Sequence, residues 1–103
     1  MSQSARVTNQ IQFPTYTVTA PGTAQQFPDT KIPDGFKTVF KNRLAATGNF
    51  YLGDTKANAQ DATARKTLEP GESITVEIDN LNRLWRDSDN STDRIEITLL
   101  APS

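Results

Sequence analysis

A chain of 103 residues with 35% apolar side chains and neither cysteine nor histidine is sized for one modest domain that folds without disulfides. It has no thiolate nucleophile, no zinc–thiolate site and no imidazole general base, so most enzymatic classes are excluded and no cofactor is expected. A net charge of −1 and a pI near 5.3, with no aromatics interleaved among the basic residues, argue against nucleic acid as a partner.

No apolar run approaches the ~20 residues of a membrane span. The opening Met1-Ser2-Gln3-Ser4-Ala5-Arg6 has no apolar core to make it a signal peptide. The chain therefore reads as soluble, unexported and without a membrane partner.

Residues 1–12 are polar, with Arg6 as the only charge, and hold neither a helical nor a strand period. They read as a flexible arm, with Ile11 and Phe13, just before Pro14, available to dock on a neighbour. Tyr16, Val18 and Ala20 alternate with threonines, which predicts a strand over 16–20 that stops at Pro21-Gly22. A short edge strand over Ala24–Phe27 ends at Pro28. In Lys31-Ile32-Pro33-Asp34-Gly35, Pro33 is placed at the second position of a tight turn.

A long strand is expected from Phe36 to Leu44. Phe36, Thr38, Phe40, Asn42 and Leu44 share one face, and Lys37, Val39, Lys41 and Arg43 share the other. Asn42, on the apolar side, marks where that strand bends or leaves the core. Ala45–Asn49 is a hairpin connection, and Phe50-Tyr51-Leu52 a short strand ending at Gly53. The polar stretch from Asp54 to Thr67 reads as a functional surface loop, since connections beyond ~12–15 residues without structure are unusual in compact domains. Within it, Asp54 or Thr55 is a possible cap for one or two helical turns through Ala57, Ala59 and Ala62, and residues 64–67 for a short strand.

Pro70-Gly71 specifies a type II turn. Beyond it Ile74, Val76 and Ile78 alternate with Thr75, Glu77 and Asp79, predicting a half-buried strand over 73–79. Asn80-Leu81-Asn82 breaks the pattern, residues 83–86 form another strand, and Leu84-Trp85 offers a buried anchor. A final strand over 94–100 turns Ile95, Ile97 and Leu99 inward. The fold class expected is all-β: an antiparallel β-sandwich, jelly-roll-like, with a polar arm over residues 1–12 and one domain over 13–103. Its core is predicted to hold Val18, Phe36, Phe40, Ile74, Val76, Ile78, Ile95, Ile97 and Leu99.

Charge is unevenly placed. Residues 31–66 carry seven Lys or Arg against three Asp, and residues 67–103 three Arg against eight acids. Cross-strand pairing accounts for this simply; contact between subunits is the sharper alternative. In the second half, Asp87, Asp89, Ser91 and Asp93 are spaced like the first four ligands of a calcium loop. Thr92 and Thr98 stand where such a loop needs glycine and glutamate, so the stretch reads as a solvated acidic hairpin tip. The sequon Asn90-Ser91-Thr92 has no occasion for use in an unexported chain.

Four segments taken in order carry a resemblance: Ile32-Pro33-Asp34-Gly35-Phe36, Thr47-Gly48-Asn49-Phe50-Tyr51-Leu52-Gly53-Asp54, Leu68-Glu69-Pro70-Gly71-Glu72-Ser73-Ile74 and Asp79-Asn80-Leu81-Asn82-Arg83-Leu84-Trp85. From about Ile32 to Asp87 the chain resembles small β-sandwich virion proteins of tailed bacteriophages, departing from them in its longer 54–67 loop and its acidic stretch at 87–93. The resemblance implies a non-enzymatic component of the particle surface, of the head-decoration or head-fibre type. It is made in the host cytoplasm, contacts the major capsid protein or another virion protein, and self-associates, with a trimer favoured. Arg6, Ile11, Phe13, Lys37, Lys41, Arg43, Lys56, Arg65 and Lys66 are the candidate contact residues. The alternative is a carbohydrate- or receptor-binding module of a fibre or tail, or another neck or tail component. Trp85, Tyr51 and Tyr16 discriminate: exposed coplanar rings favour a sugar platform, and a buried Trp85 disfavours it.

Overall fold

The computed structural model describes Gln10–Gln12 and residues 15–102. It is predominantly strand: β1 (Gln10–Gln12), β2 (Gln25–Gln26), β3 (Lys37–Asn42), β4 (Phe50–Gly53), β5 (Lys66–Leu68), β6 (Ser73–Val76), β7 (Trp85–Ser88) and β8 (Ile95–Leu100), with one short helix, α1 (Lys56–Gln60), between β4 and β5. The strands form two four-stranded antiparallel sheets, ordered β1-β8-β3-β6 and β2-β7-β4-β5. Each strand of the first half pairs with its mirror in the second: β1 with β8, β2 with β7, β3 with β6, β4 with β5. The chain thus runs as one long hairpin folded over twice, its tip between β4 and β5.

The alternating sequences form the ladder they specify. In β3, Thr38, Phe40 and Asn42 are buried while Lys37 and Lys41 are exposed. In β8, Ile95, Ile97 and Leu99 are buried opposite Asn42, Phe40 and Thr38. Side chains of both sheets share one core: Phe40, Ile95, Ile97 and Leu99 from the first, Phe50, Leu52 and Leu68 from the second. Val18, Phe27, Ile32 and Leu81 enter it from the connections. At the β5–β6 corner, Pro70 presets one turn position and Gly71 takes the next at φ +87°, while Glu72 N–H donates to Glu69 O at 2.8 Å.

Several expectations are corrected. Residues 16–20 form no strand: only Tyr16 bridges to Ile95, because this segment crosses from one sheet to the other, although Val18 is buried as expected. Ile74, Val76 and Ile78 are only half-buried, since β6 is an outer strand of its sheet and stops at Val76. Phe36 precedes β3 and is also half-buried. Its N–H donates to Pro33 O at 3.1 Å, which makes Pro33 the first residue of that turn, not the second.

The long strand ends at Asn42, fully buried, whose amide donates to Gly48 O at 3.0 Å and Leu68 O at 2.9 Å. Leu44 lies beyond this stop and is 79% exposed. Residues 81–83 form a 3-10 turn capped by the Asn80 side chain, so the strand expected at 83–86 begins instead at Trp85. Of the arm expected over 1–12, Gln10–Gln12 belong to the first sheet, with Ile11 opposite Leu99. Residues 1–9, 13, 14 and 103, with Arg6 and Phe13 among them, lie outside the described residues.

Candidate functional site

The acidic stretch is a solvated tip only in part: Asp89, Ser91 and Thr92 are exposed, whereas Asp87 and Asp93 are buried. Asp87 lies within β7 and is 2% exposed; its Oδ1 accepts from Gly22 N–H at 2.9 Å and Ser88 N–H at 2.8 Å. Asp89 accepts from Asn49 N–H at 2.9 Å and from the Tyr51 hydroxyl at 2.6 Å. Asp93, 7% exposed, accepts from Gly48 N–H at 2.9 Å, from Thr47 N–H at 3.1 and 3.2 Å, and from the Asn90 amide at 3.2 Å. Ser91 is exposed.

Asp87 thus pins the backbone at Gly22, while Asp93 and Asp89 together pin the backbone of Thr47, Gly48 and Asn49. Among the described residues no three acidic side chains converge as a metal site. Burial pushes the Asp93 carboxyl up. The hydrogen bonds from Thr47, Asn90 and Gly48 outweigh that and hold it below the usual carboxylate range. Burial, then the hydrogen bond to Asp89 and its charge, raise the Tyr51 phenol above its ordinary value.

Beside Asp87, Arg86 is 8% exposed. Its Nε donates to Thr17 O and its Nη1 to Gln26 O, each at 2.9 Å, and its guanidinium lies 4.9 Å from the centre of the Phe27 ring and 5.2 Å from that of Tyr16. Desolvation lowers its pKa. This cation fastens residues 17–26 onto β7 and is a packing element that the sequence pattern does not announce.

The basic candidates divide between the two sheets. Lys37 and Lys41 are exposed on the outer face of β3, and Arg43 follows just beyond it. Arg43 Nε lies 3.7 Å from Glu96, the residue directly opposite Lys41. This is the cross-strand pairing of the two charge-biased halves, and an exposed pair of this kind contributes little. Lys56 is exposed on α1, and Lys66 is exposed on β5, an outer strand of the second sheet. Arg65 is half-buried with its guanidinium 3.5 Å from the centre of the Tyr51 ring, its Nε buried without a hydrogen-bond partner. Stacking occupies it.

The 54–67 connection is more structured than a loop. Thr55 caps α1 by accepting from Asn58 N–H at 3.1 Å. Ala59 is fully buried, whereas Ala57 and Ala62 are exposed. Gln60 accepts from Ala24 N–H at 2.7 Å, and Asp61 starts the next turn by accepting from Thr63 N–H at 2.9 Å.

Among the described residues Tyr16, Tyr51 and Trp85 do not stack on one another. Tyr51 is buried, and Tyr16 packs edge-on against Phe27 at 5.5 Å. Trp85, expected to be buried, is half-buried at the start of β7.

No protein-family model, curated protein or solved structure matches this chain. Among the described residues no helix is long and apolar enough to cross a membrane.

Proposed function

We propose that this protein is a structural component of a tailed-bacteriophage particle, a decoration protein that binds the exterior of the assembled head and stabilises it. The observation that carries the proposal is the strand order. On our reading, β1-β8-β3-β6 facing β2-β7-β4-β5 across one shared core is an antiparallel β-sandwich of the eight-stranded jelly-roll type, an architecture used by viral shell proteins and by lectins. The four phage-like segments supply two of its turns, strand β4 and the 3-10 turn before β7.

The loops of this body are stiffened by buried carboxylates, which suits a module that presents fixed surfaces to several capsid subunits. Repeated sites on a shell add weak contacts through avidity, and binding the assembled shell in preference to its dissociated subunits stabilises it by mass action. Major capsid protein or another virion protein is the partner, the virion surface the location and a trimer the favoured state.

The test mixes purified protein with undecorated, expanded capsids, measures saturable co-sedimentation, and compares capsid melting with and without it. Saturable binding and a higher capsid melting temperature are expected. Because Gln10–Gln12 are part of the sheet, the arm is probed by deleting residues 1–9 only, which should weaken binding and leave the domain folded. Absence of capsid binding together with specific retention on a glycan surface would favour the carbohydrate-binding alternative.

A further inference from the structure

Each sheet has two outer strands, and three of these four are short. β2 has two residues; β1 and β5 have three each, and β5 carries the exposed Lys66. Shortness and charge are the usual protection of a free edge. β6 differs: it has four residues, Ser73-Ile74-Thr75-Val76, three of them β-branched, with neither proline nor lysine among them. Asn42 N–H donates to Glu72 O at 2.9 Å, which sets the phase of the β3–β6 ladder. Phe40–Ile74 and Thr38–Val76 are its hydrogen-bonded pairs. The N–H and C=O groups of Ser73 and Thr75 therefore point away from β3, toward the open flank.

That flank opens on a mixed cavity of about 300 Å³ between β6 and the second sheet, in which Ile74, Val76, Leu52 and Leu84 form an apolar wall and Asp54, Asn58 and Lys66 a polar one. A groove continues from it past Ile78 to Glu77 and Asp79. Residues 67–82 contain four acids and no Lys or Arg. Asp79 is paired with Arg83 at 2.8 Å, while Glu69, Glu72 and Glu77 are exposed and make no ion pair among the described residues.

We infer that β6 is a strand-addition site for an extended, basic segment of a partner chain. The segment pairs its backbone with Ser73 and Thr75, seats an apolar side chain in the cavity between Val76 and Leu84, and sets Lys or Arg against Glu77 and Glu72. Charge selects this occupant over a second copy of the chain, because pairing β6 with itself would bring the same glutamates together. The inference stands apart from the identity of the particle to which the chain belongs.

The test is an NMR titration of the isotope-labelled full chain with the capped hexapeptide Lys-Val-Lys-Ile-Arg-Val, and with its counterpart carrying Glu at the three charged positions. The basic peptide should bind saturably, shift Ser73–Ile78 and Leu84, and slow amide exchange at Ser73 and Thr75. Thr75→Pro removes the outward donor while leaving the β3 ladder intact, a position where an edge strand tolerates proline; it should abolish binding. Glu77→Lys, which touches no backbone pairing, should weaken binding about ten-fold. The proposal is overturned by failure of the basic peptide to bind, by equal binding of the acidic peptide, by shifts confined to other strands, or by binding that survives both substitutions. Self-association lost in Thr75→Pro would assign the edge to a second copy and overturn it equally.

Discussion

Asp93 tests whether the buried carboxylates hold the loops. It accepts from Gly48 N–H at 2.9 Å and from Thr47 N–H at 3.1 and 3.2 Å, with Asn90 adding a third donor. Hydrogen bonds to a charged acceptor contribute ~1.5–3 kcal/mol each. Thr47 is exposed, so water replaces part of what Asp93→Ala removes, and one full charged bond plus a fraction of the second is the reasonable estimate, about 2–3 kcal/mol. For a domain of this size that corresponds to a fall in melting temperature of roughly 10–20 °C. Asp93→Asn keeps one acceptor oxygen and should lose less.

Because the folded-state pKa lies below the unfolded one, the contribution of the charge is fully present above the unfolded value near ~4 and is lost as pH falls through the folded value. Urea denaturation of wild type and Asp93→Asn at pH 7 and at pH 3 reads this directly. The stability gap should be wide at pH 7 and narrow in acid. A gap that is unchanged with pH, or an alanine variant within ~0.5 kcal/mol of wild type, the range of inert surface substitutions, would refute the pinning role.

Phe40→Ala, at a fully buried position, should cost about 3–5 kcal/mol in denaturant unfolding, while Leu44→Ala, 79% exposed, should fall within ~0.5 kcal/mol of wild type. Gly53→Ala places a Cβ 2.4 Å from Ala59 N and 2.7 Å from Ala59 Cα, so it should destabilise by ~1–3 kcal/mol and raise amide exchange in Lys56–Gln60. Melting curves in millimolar calcium and in chelator should coincide, because among the described residues no three acidic side chains converge on one point, and Asp89 and Asp93 already accept from the backbone N–H groups of Asn49, Thr47 and Gly48; a rise of several degrees with calcium would contradict that geometry. In sedimentation, the proposed trimer should loosen as salt increases if the charge-biased halves meet across subunits; a monomer at all salt concentrations would leave Arg43–Glu96 pairing within one chain as their sole use.

The elements legible in the sequence were those whose register one chain segment determines alone. In β3 and β8 a strict alternation over six residues puts Phe40, Ile95, Ile97 and Leu99 inside, and a one-residue slip would expose them all. Pro70-Gly71 is likewise local, since the glycine conformation follows from the turn type. What local pattern leaves undetermined is position within a sheet. Ile74, Val76 and Ile78 alternate as cleanly as Ile95, Ile97 and Leu99, yet β8 lies between β1 and β3 while β6 is an outer strand. The first set is consequently half-exposed and the second buried. Residues 16–20 show the converse: Val18 is buried without a ladder, because a crossing segment reaches the core with one side chain and satisfies its backbone elsewhere.

The polar interior was hidden for a related reason. Asp87 and Asp93 lie in a stretch with the composition of a solvated turn, and nothing in the residues themselves separates a carboxylate that faces water from one that faces N–H groups more than forty residues away. Their partners, Gly22 for Asp87 and Thr47 and Gly48 for Asp93, become neighbours only once the long hairpin has folded over. Arg86 follows the same logic, because its acceptors Thr17 and Gln26 arrive with the segment that crosses between sheets. These side chains substitute for the ladder hydrogen bonds that crossing segments and loops lack. A lean apolar composition is thereby reconciled with an ordered domain, in which charged groups used as internal backbone partners do part of the work that a larger core would do. Among the described residues, the exposed charges that make no such internal contact include Lys37 and Lys41 on the outer face of β3 and Glu77 just beyond β6, and it is there that surface chemistry is concentrated.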